Sequence, residues 1–294
     1  MTVWVLSKED ELAYENKRLL ESFAAKKITA KLVQASDFDI IVTRDSANTI
    51  LYQGKHVELP EVLLVRIGAG ISKFMLALIR QIENSGVVTV NTADAIELVK
   101  DKLESSQVLS RNRIAIPKTM VVRFPVNAGI ITEEIGFPCV VKQITGSYGE
   151  GVHLCQRQSD FVSLMGFVET LGTSKTMIVQ EYMGERPGED LRVLVVGGRV
   201  IGAMRRTAPP GDFRANITAG GTGELFEVTD EIGFIVRETV RALNLTIAGV
   251  DLLFDQDGFR VCEANSNPGF LGFETYCNTD IADQITEYVK FLLR

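Results

Sequence analysis

Two stretches near the carboxyl end of this 294-residue sequence combine acidic and amide side chains with apolar neighbours. Asp251 lies in IAGVDLLFD, and Glu263 and Asn265 lie in GFRVCEANS. If these are antiparallel strands joined by a QDG turn, Asp251 lies beside the other two, which share a face because strand side chains alternate. Two carboxylates and an amide oxygen suit Mg²⁺. The alternative is that the carboxylates are solvated strand ends.

A glycine-rich stretch follows an apolar strand pattern in the middle of the chain. The sequence VVKQITGSYGEGV places Lys142 at the end of the strand, with Gly146, Gly149 and Gly151 after it. Backbone N–H groups of such loops approach phosphate oxygens closely, and a lysine adds positive charge. An ordinary hairpin loop would explain the same pattern, and the P-loop motif GxxxxGK[ST] is absent from the sequence.

The elements that must position these residues fall into two parts. Over roughly residues 1–95, strand and helix patterns alternate, with a hairpin at Gln53-Gly54, which predicts an open sheet with helices on its faces. Beyond residue 101, a helix precedes several short strand patterns. A hairpin at Gly197-Gly198 and an amphipathic helix capped by Thr229 follow. Strand runs with helices on one side are typical of an α+β unit.

Composition narrows the classes of protein. The net charge of −7 argues against a general nucleic-acid binder. No segment approaches about 18 consecutive apolar residues, so we expect no membrane span, and the N-terminus lacks the pattern of a signal peptide. The four scattered cysteines predict reduced thiols in a cytoplasmic protein, with a disulfide or zinc site as the alternative. We expect His56 and His153 to be structural.

An ordered set of motifs resembles the ATP-grasp ligases, and more narrowly the RimK-type α-L-glutamate ligases. The motifs, which span essentially the whole chain, are DKLESSQVL, VVKQITGSYGEGV, VQEYM, GEDLRVLVVGGRVIGAMRR, GDFRANITAGG, AGVDLL and EANSNPGFLGFE. The resemblance implies an ATP-grasp fold, of mixed α/β and α+β class, preceded by an open α/β pre-ATP-grasp domain. The implied domains are residues 1–100, a central ATP-grasp subdomain at 101–185, and a C-terminal subdomain with the metal site at 186–294.

The resemblance also implies a site for ATP and two Mg²⁺ ions, for which Mn²⁺ can substitute. The implied nucleotide-binding residues are Lys102, Lys142, Gly146, Ser147, Tyr148, Gly149, Gly151, Glu181, Tyr182, Met183, Asp190, Arg214 and Asn216. In this interpretation the lysines contact phosphates under a mobile TGSYGEGV loop, and residues 181–183 meet the adenine edge. Asp190 binds the ribose, and Arg214 and Asn216 lie near the γ-phosphate. The implied metal ligands are Asp251, Glu263 and Asn265.

The implied reaction activates a carboxylate as an acyl phosphate, which an amine attacks to give an amide and phosphate. Such phosphoryl transfer depends on positioning and charge neutralisation, and a closing loop keeps water from the acyl phosphate. The residues expected to be catalytic are Arg205, Arg214 and Lys142. Alternation lets only one of Arg205 and Arg206 face the site; we expect Arg205 to bind a substrate carboxylate bidentately, with a plain surface charge as the alternative.

The implied substrates are ATP, L-glutamate, which is added through an α-linked amide, and a carboxylate acceptor on a protein, peptide or small molecule. We also expect a homo-oligomer, either a dimer or a tetramer. Two departures from the family pattern border the acceptor site. ITAGG, with Thr218 and Ala219, stands where His-Arg-Gly-Gly is frequent, and Phe270-Leu271 stand where an acidic residue can occur. The alternatives are another amino acid, a small acid such as N-acetylaspartate or citrate, or an idle ATP-binding protein, which the complete set of metal and phosphate residues disfavours.

Overall fold

The computed structural model describes residues 2–44, 49–68, 70–144, 151–170 and 176–294. The strands are β1 Thr2–Ser7, β2 Thr29–Val33, β3 Phe38–Ile40, β4 Ile50–Tyr52, β5 Lys55–His56, β6 Val62–Arg66, β7 Val88–Val90, β8 Thr119–Val122, β9 Cys139–Gln143, β10 His153–Cys155, β11 Met177–Glu181, β12 Glu189–Val196, β13 Arg199–Thr207, β14 Thr222–Phe226, β15 Ile247–Asp255 and β16 Gly258–Asn265. The α-helices are α1 Tyr14–Ala25, α2 Lys73–Asn84, α3 Ala93–Lys100, α4 Lys102–Arg111, α5 Ala128–Glu134, α6 Gln158–Thr170, α7 Asp230–Ala242, α8 Leu271–Tyr276 and α9 Ile281–Leu292. Within these segments, no helix is long and apolar enough to cross a membrane.

The N-terminal part is an open parallel sheet with the order β2-β1-β6-β7, as the alternating pattern predicts. The central strands β1 and β6 are continuous apolar runs because both faces of the sheet are covered. On one face Val3 and Leu64 share a core with α1 and α9. On the other, Trp4 and Leu63 pack with α2. The carboxyl ends of β1 and β6 therefore meet at one edge of this sheet.

A small sheet, β3-β4-β5, lies beside the parallel one and contains the expected hairpin. Its turn residues Gln53 and Gly54 have φ values of 50° and 74°. Positive φ at both central positions matches a type I′ turn, whose twist fits the flanking strands.

The central sheet is antiparallel, with the order β10-β9-β11-β8, and helices α5 and α6 pack on one of its faces. Along β9, Cys139 and Val141 point into a core that includes Phe161 and Met165 of α6. Since strand side chains alternate, Lys142 points to the opposite face. The face opposite α5 and α6 therefore carries the lysine.

The C-terminal sheet is antiparallel, with the order β14-β13-β12-β15-β16. Helix α7, whose N-terminus is capped by Thr229 Oγ1 accepting from Ile232 N at 3.3 Å, packs on one face through Ile232 and Val236. Part of the opposite face packs on α8 and α9, in the core that also holds β1 and α1. The expectation of helices on one side is therefore correct for the central sheet and wrong here, because the N-terminal part shares its core with this sheet.

A buried asparagine joins the N-terminal part to the C-terminal sheet. Asn91 follows β7, is 1% exposed, and donates from Nδ2 to Ile247 O at 2.8 Å and Ser266 O at 2.9 Å. Its Oδ1 accepts from Thr246 N at 2.6 Å and Ile247 N at 3.0 Å. These four hydrogen bonds fix the start of β15 and the residue after β16 against the first domain.

Candidate active site

The predicted oxygen ligands lie together on β15 and β16. Asp251 is the register partner of Glu263, and Gly249 is the partner of Asn265, as expected for antiparallel strands joined by the QDG turn. The register shifts after Asp251, which leaves Cys262 as the extra residue of a β-bulge. Asn265 Nδ2 donates to Glu263 Oε1 at 3.2 Å, so the amide oxygen of Asn265 is the atom suited to a metal.

Two arginines enclose the carboxylate of Asp251, which is 4% exposed. Arg192 donates to its two oxygens at 2.7 and 2.6 Å, and Arg206 Nη2 lies 3.0 Å from Oδ2. Arg206 also donates bidentately to Asp190 at 2.7 and 2.6 Å. The four side chains form an alternating row of charges across β15, β12 and β13 on one face of the sheet.

Burial and charge act in opposite directions on this row. Burial alone would raise the pKa of Asp251, but the charges and hydrogen bonds of Arg192 and Arg206 outweigh it and hold the pKa below its ordinary value. For Asp190 burial prevails, and despite the opposing charge of Arg206 its pKa rises to about 6. Asp251 is therefore held ionised, as a metal ligand must be.

The donor set fits magnesium. Asp251, Glu263 and Asn265 offer only oxygen ligands on one face, and the Glu263 side chain is 34% exposed. In the described segments no three His, Cys, Asp or Glu side chains form a metal cluster. An ion here would therefore depend on the amide of Asn265, water and nucleotide phosphates, which is how Mg²⁺ commonly binds.

The predicted phosphate lysines approach these carboxylates from other elements. Lys102 begins α4, its Nζ lies 3.8 Å from Glu263 Oε2, and its backbone N donates to Ile144 O at 3.2 Å, just beyond β9. Lys142 on β9 is 6% exposed and donates to Gln180 Oε1 at 2.9 Å. The structure thus brings a lysine from α4 to the proposed metal face and ties it to the end of the strand that carries Lys142.

The thiol of Cys262 is influenced by charged groups of both the central and the C-terminal sheet. Burial has the largest effect and raises the pKa of Cys262 to about 11. The charge of Lys142 lowers this pKa, whereas the charges of Glu263, Asp251 and Asp190 raise it. The charges of a lysine on one sheet and of three carboxylates on the other therefore act on the same thiol.

The predicted adenine segment ends β11 and contacts the C-terminal subdomain. Glu181 Oε1 accepts from Lys118 N at 2.7 Å and pairs with Arg260 of β16. Tyr182 packs edge-on against Phe213 at 6.5 Å between ring centroids, and burial raises its pKa. The half-buried Met183 follows. The carboxylate of Glu181 is thus engaged in joining the two sheets.

A cleft of about 460 Å³ lies between residues 151–154 and 211–214, so Gly151 and Arg214 line the same space. Arg214 donates to Asp212 at 3.0 and 2.8 Å, which lowers the pKa of Asp212 to about 2. Asn216 follows, and its backbone oxygen accepts from the N–H groups of residues 219 and 221. The predicted loop residues that lie outside the described part of the chain are Gly146, Ser147, Tyr148 and Gly149.

The structure corrects the choice between the two consecutive arginines. Arg206 is on the face with Asp190, whereas Arg205 is on the opposite face. There Arg205 pairs with Glu224 of β14 and lies 3.7 Å from Glu189. Arg205 therefore belongs to a surface charge cluster, because the register of β12 and β13 gives position 206 to the site.

Two arginines of the site were missed from the sequence. Arg192 lies two residues beyond Asp190, so alternation along β12 would have placed both on one face. Arg66 lies at the end of β6, and its guanidinium Nη2 donates to Pro268 O at 3.0 Å, just beyond β16. No local signal connects residues 66 and 268, because their contact depends on how the two domains pack.

Family models match nearly the whole chain, with a RimK pre-ATP-grasp domain at residues 1–96 and a RimK-like ATP-grasp domain at 99–289. A probable alpha-L-glutamate ligase of Xanthomonas euvesicatoria is 36% identical, covering 100% of this chain and 99% of that protein. A probable alpha-L-glutamate ligase of Methanococcoides burtonii is 35% identical, covering 99% of this chain and 95% of that protein. A RimK domain ATP-grasp protein of Sphaerobacter thermophilus superposes with a TM-score of 0.76 at 22% identity, covering 98% and 99% of the two chains. The D-alanine–D-alanine ligase of Bacillus anthracis gives 0.70 at 14% identity, covering 100% and 98%. The chain therefore belongs to the RimK-like ATP-grasp family and is a ligase.

Proposed function

We propose that this ligase joins the amino group of L-glutamate to a carboxylate of a protein, peptide or small-molecule acceptor, using ATP. The observation that carries the proposal is that Lys102 Nζ lies 3.8 Å from Glu263 Oε2, beside Asp251, and that the charge of Lys142 acts on the neighbouring Cys262. The two lysines are suited to bind phosphates, and the carboxylates of Asp251 and Glu263 are suited to bind magnesium. The choice of glutamate is supported by relatives that are 34–36% identical and named probable alpha-L-glutamate ligases.

The reaction needs an activated carboxylate, because a free carboxylate is a poor electrophile. Transfer of the γ-phosphoryl group to the acceptor gives an acyl phosphate, and attack by the amine then releases phosphate. Lys142, Lys102 and Arg214 neutralise the charge that the phosphates carry through this transfer. Mg²⁺ held by Asp251, Glu263 and Asn265 would supply further charge neutralisation. No nucleophilic side chain of the enzyme is required.

The arginine row prepares the site before nucleotide arrives. Arg192 and Arg206 hold Asp251 in its ionised form and in one orientation through charge-assisted hydrogen bonds of 2.6 to 3.0 Å. Arg206 is itself oriented by Asp190. Asp190 is thus committed to Arg206 in this structure, and the proposed contact with the ribose uses the side of its carboxylate away from the arginine.

ADP release measured over a matrix of amino acids and carboxylic acids, with mass spectrometry of the products, tests the proposal. We expect L-glutamate to exceed L-aspartate, L-glutamine and L-lysine, and the product mass to equal acceptor plus glutamate minus water. Hydroxylamine should trap the acyl phosphate as a hydroxamate when the amino acid is omitted. Release of AMP in place of ADP would contradict the acyl phosphate, and a preference for lysine would contradict glutamate.

A pair of matched variants distinguishes an effect on the candidate site from a general effect on folding. Glu263→Gln removes a charge from the proposed metal face and should abolish most product formation. Glu224→Gln makes the same change on the opposite face, where the side chain pairs with Arg205, and should leave product formation close to wild type. Equal loss in both variants would indicate a general effect on folding and would count against the assigned site.

A further inference from the structure

A buried arginine lies at the carboxyl edge of the N-terminal sheet, and no counter-charge among the described residues is in contact with it. Arg66 ends β6, beside Ser7 at the end of β1, and is 7% exposed. Its Nη2 donates to Pro268 O at 3.0 Å, and its Nε has no hydrogen-bond partner in the part of the chain that the structure describes. In open α/β sheets, ligands bind at the carboxyl ends of the strands. The position and the unpaired N–H both indicate a ligand.

The loop that covers Arg66 carries an unpaired acceptor. Asn267 Oδ1 is buried and, among residues 2–44, 49–68, 70–144, 151–170 and 176–294, has no hydrogen-bond partner. The Asn267 side chain packs so closely over Gly68, two residues after Arg66, that a Cβ added to the glycine would lie 3.3 Å from Asn267 Cβ. An unused donor and an unused acceptor therefore occur in the same contact between the end of β6 and the loop after β16.

The local charge favours an anion. Burial lowers the pKa of Arg66 to about 10, and the charge of Glu15 offsets this only in part. Glu15 accepts a hydrogen bond from Phe270 N at 3.3 Å and acts on Arg66 through its charge, with no ion pair between the two within the described segments. The ring of Phe270 lies 5.5 Å from the guanidinium carbon, which supplies weak compensation. A buried guanidinium is costly unless an anion pairs with it.

We propose that Arg66 and Asn267 bind the α-carboxylate and the α-amino group of the amino acid that the enzyme joins, an assignment that rests on the proposed function. An α-amino acid carries an anionic acceptor and an N–H donor on adjacent atoms, which complements the unused donor and acceptor. Asn267 is two residues beyond Asn265, a span of about 7 Å at most. An amine held there lies beside the face on which the acyl phosphate forms.

Arg66 Nε and Asn267 Oδ1 are both buried in this structure. Binding of the amino acid therefore replaces contacts that these side chains already make. The substrate carboxylate replaces the Pro268 carbonyl on Arg66, and residues 266–269 shift to admit it. This places Arg66 in direct contact with substrate, in contrast to a purely structural role in which it would only anchor the loop. The two roles predict different responses to the charge of the ligand.

Binding calorimetry with Mg²⁺ and a non-hydrolysable ATP analogue distinguishes them without requiring turnover. The ligands are L-glutamate, its α-amide and its γ-amide (glutamine), titrated into wild type, Arg66→Gln and Asn267→Ala. Arg80→Gln is the matched control, because Arg80 is in the same domain but pairs with Asp94 and Glu97 on the surface. Thermal unfolding and the Kd of the ATP analogue are recorded for each protein.

We expect Arg66→Gln to weaken glutamate binding about tenfold to a hundredfold, the range for losing a charge-assisted hydrogen bond, and to leave the Kd of the α-amide and of the ATP analogue unchanged. Wild type should prefer glutamate to its α-amide, and this preference should disappear in the variant. Asn267→Ala should weaken both ligands equally, and this variant tests the site even if Arg66→Gln does not fold.

An unchanged preference for glutamate over its α-amide in Arg66→Gln would overturn the proposal. So would parallel weakening of the ATP analogue, which indicates a structural anchor, or loss of discrimination against glutamine, which would assign Arg66 to the γ-carboxylate. Failure of the proposed function is a separate result. It would show as absent ADP release together with no binding of glutamate to wild type, whereas the Arg66 assignment alone fails when wild type binds glutamate and Arg66→Gln keeps its preference for glutamate over the α-amide.

Discussion

Replacing Asn91 with alanine should weaken the attachment of the N-terminal domain to the strands that carry the candidate metal ligands. The side chain is 1% exposed and makes four hydrogen bonds, to the backbone of residues 246, 247 and 266. All of these partners lie next to β15 or β16. Alanine leaves two backbone N–H and two backbone C=O interactions unmade in a buried contact, and no other described side chain duplicates them.

The expected loss of unfolding free energy follows from the number of hydrogen bonds that Asn91 makes. A hydrogen bond contributes about 1 kcal/mol net, and a buried group left without a partner costs about 1–3 kcal/mol. Four bonds therefore predict a loss of about 4 kcal/mol or more in the free energy of unfolding. At roughly 2–4 °C per kcal/mol, the unfolding temperature should fall by roughly 8–16 °C. This is a large fraction of the total stability of a typical protein, which is about 5–15 kcal/mol.

Urea unfolding followed by circular dichroism measures the loss as a shift of the midpoint at constant slope. The control is Asn112→Ala, because Asn112 is exposed at the end of α4 and its side chain donates to Val108 O at 2.8 Å. The control should cost less than about 1 kcal/mol, since water replaces an exposed bond. Equal midpoint shifts for the two variants would refute the view that Asn91 joins the domains.

Three further results are expected. Glu263→Gln should keep the wild-type urea midpoint but lose most ATP turnover at low Mg²⁺, with partial recovery at high Mg²⁺; near-normal turnover at low Mg²⁺ would contradict its role as a ligand. Because the pKa of Asp190 is raised to about 6, the folded state binds its proton more tightly than the unfolded state, so stability should fall as pH rises from about 4 to about 6. Asp190→Asn should flatten that part of the stability profile, and an unchanged profile would contradict the raised pKa. Since burial raises the pKa of Cys262 from 9.0 to about 11, iodoacetamide should modify this thiol about a hundredfold more slowly at pH 8 than an exposed cysteine; modification at the rate of an exposed thiol would count against its burial.

Local patterns in the sequence determined much of the fold. The hairpins at residues 53–54 and 197–198 occur where glycine permits positive φ, and the cap at Thr229 is found as predicted. The shared face of Asp251, Glu263 and Asn265 follows from alternation along strands joined by a short turn. Each of these features depends on neighbouring residues, so a single sequence contains the necessary information.

Which of two consecutive residues of a strand points toward the site depends on distant residues. Alternation along β13 showed that one of Arg205 and Arg206 faces the site, but not which. The choice is made by the pairing of β13 with β12 and by α7, which covers the other face of the sheet. A shift of register by one residue would have reversed the two arginines.

The sequence by itself determined the strand and helix patterns, the family motifs and the three oxygen ligands on one face. Only the tertiary structure decided that Arg192 and Arg206 enclose Asp251, that helices pack on both faces of the C-terminal sheet, and that Arg66 lies buried beneath the loop after β16 with no ion pair to any described residue. The physical reason is the range of the interactions. Propensity and alternation act between neighbours in the chain, whereas burial and charge pairing depend on residues that folding brings together from different domains.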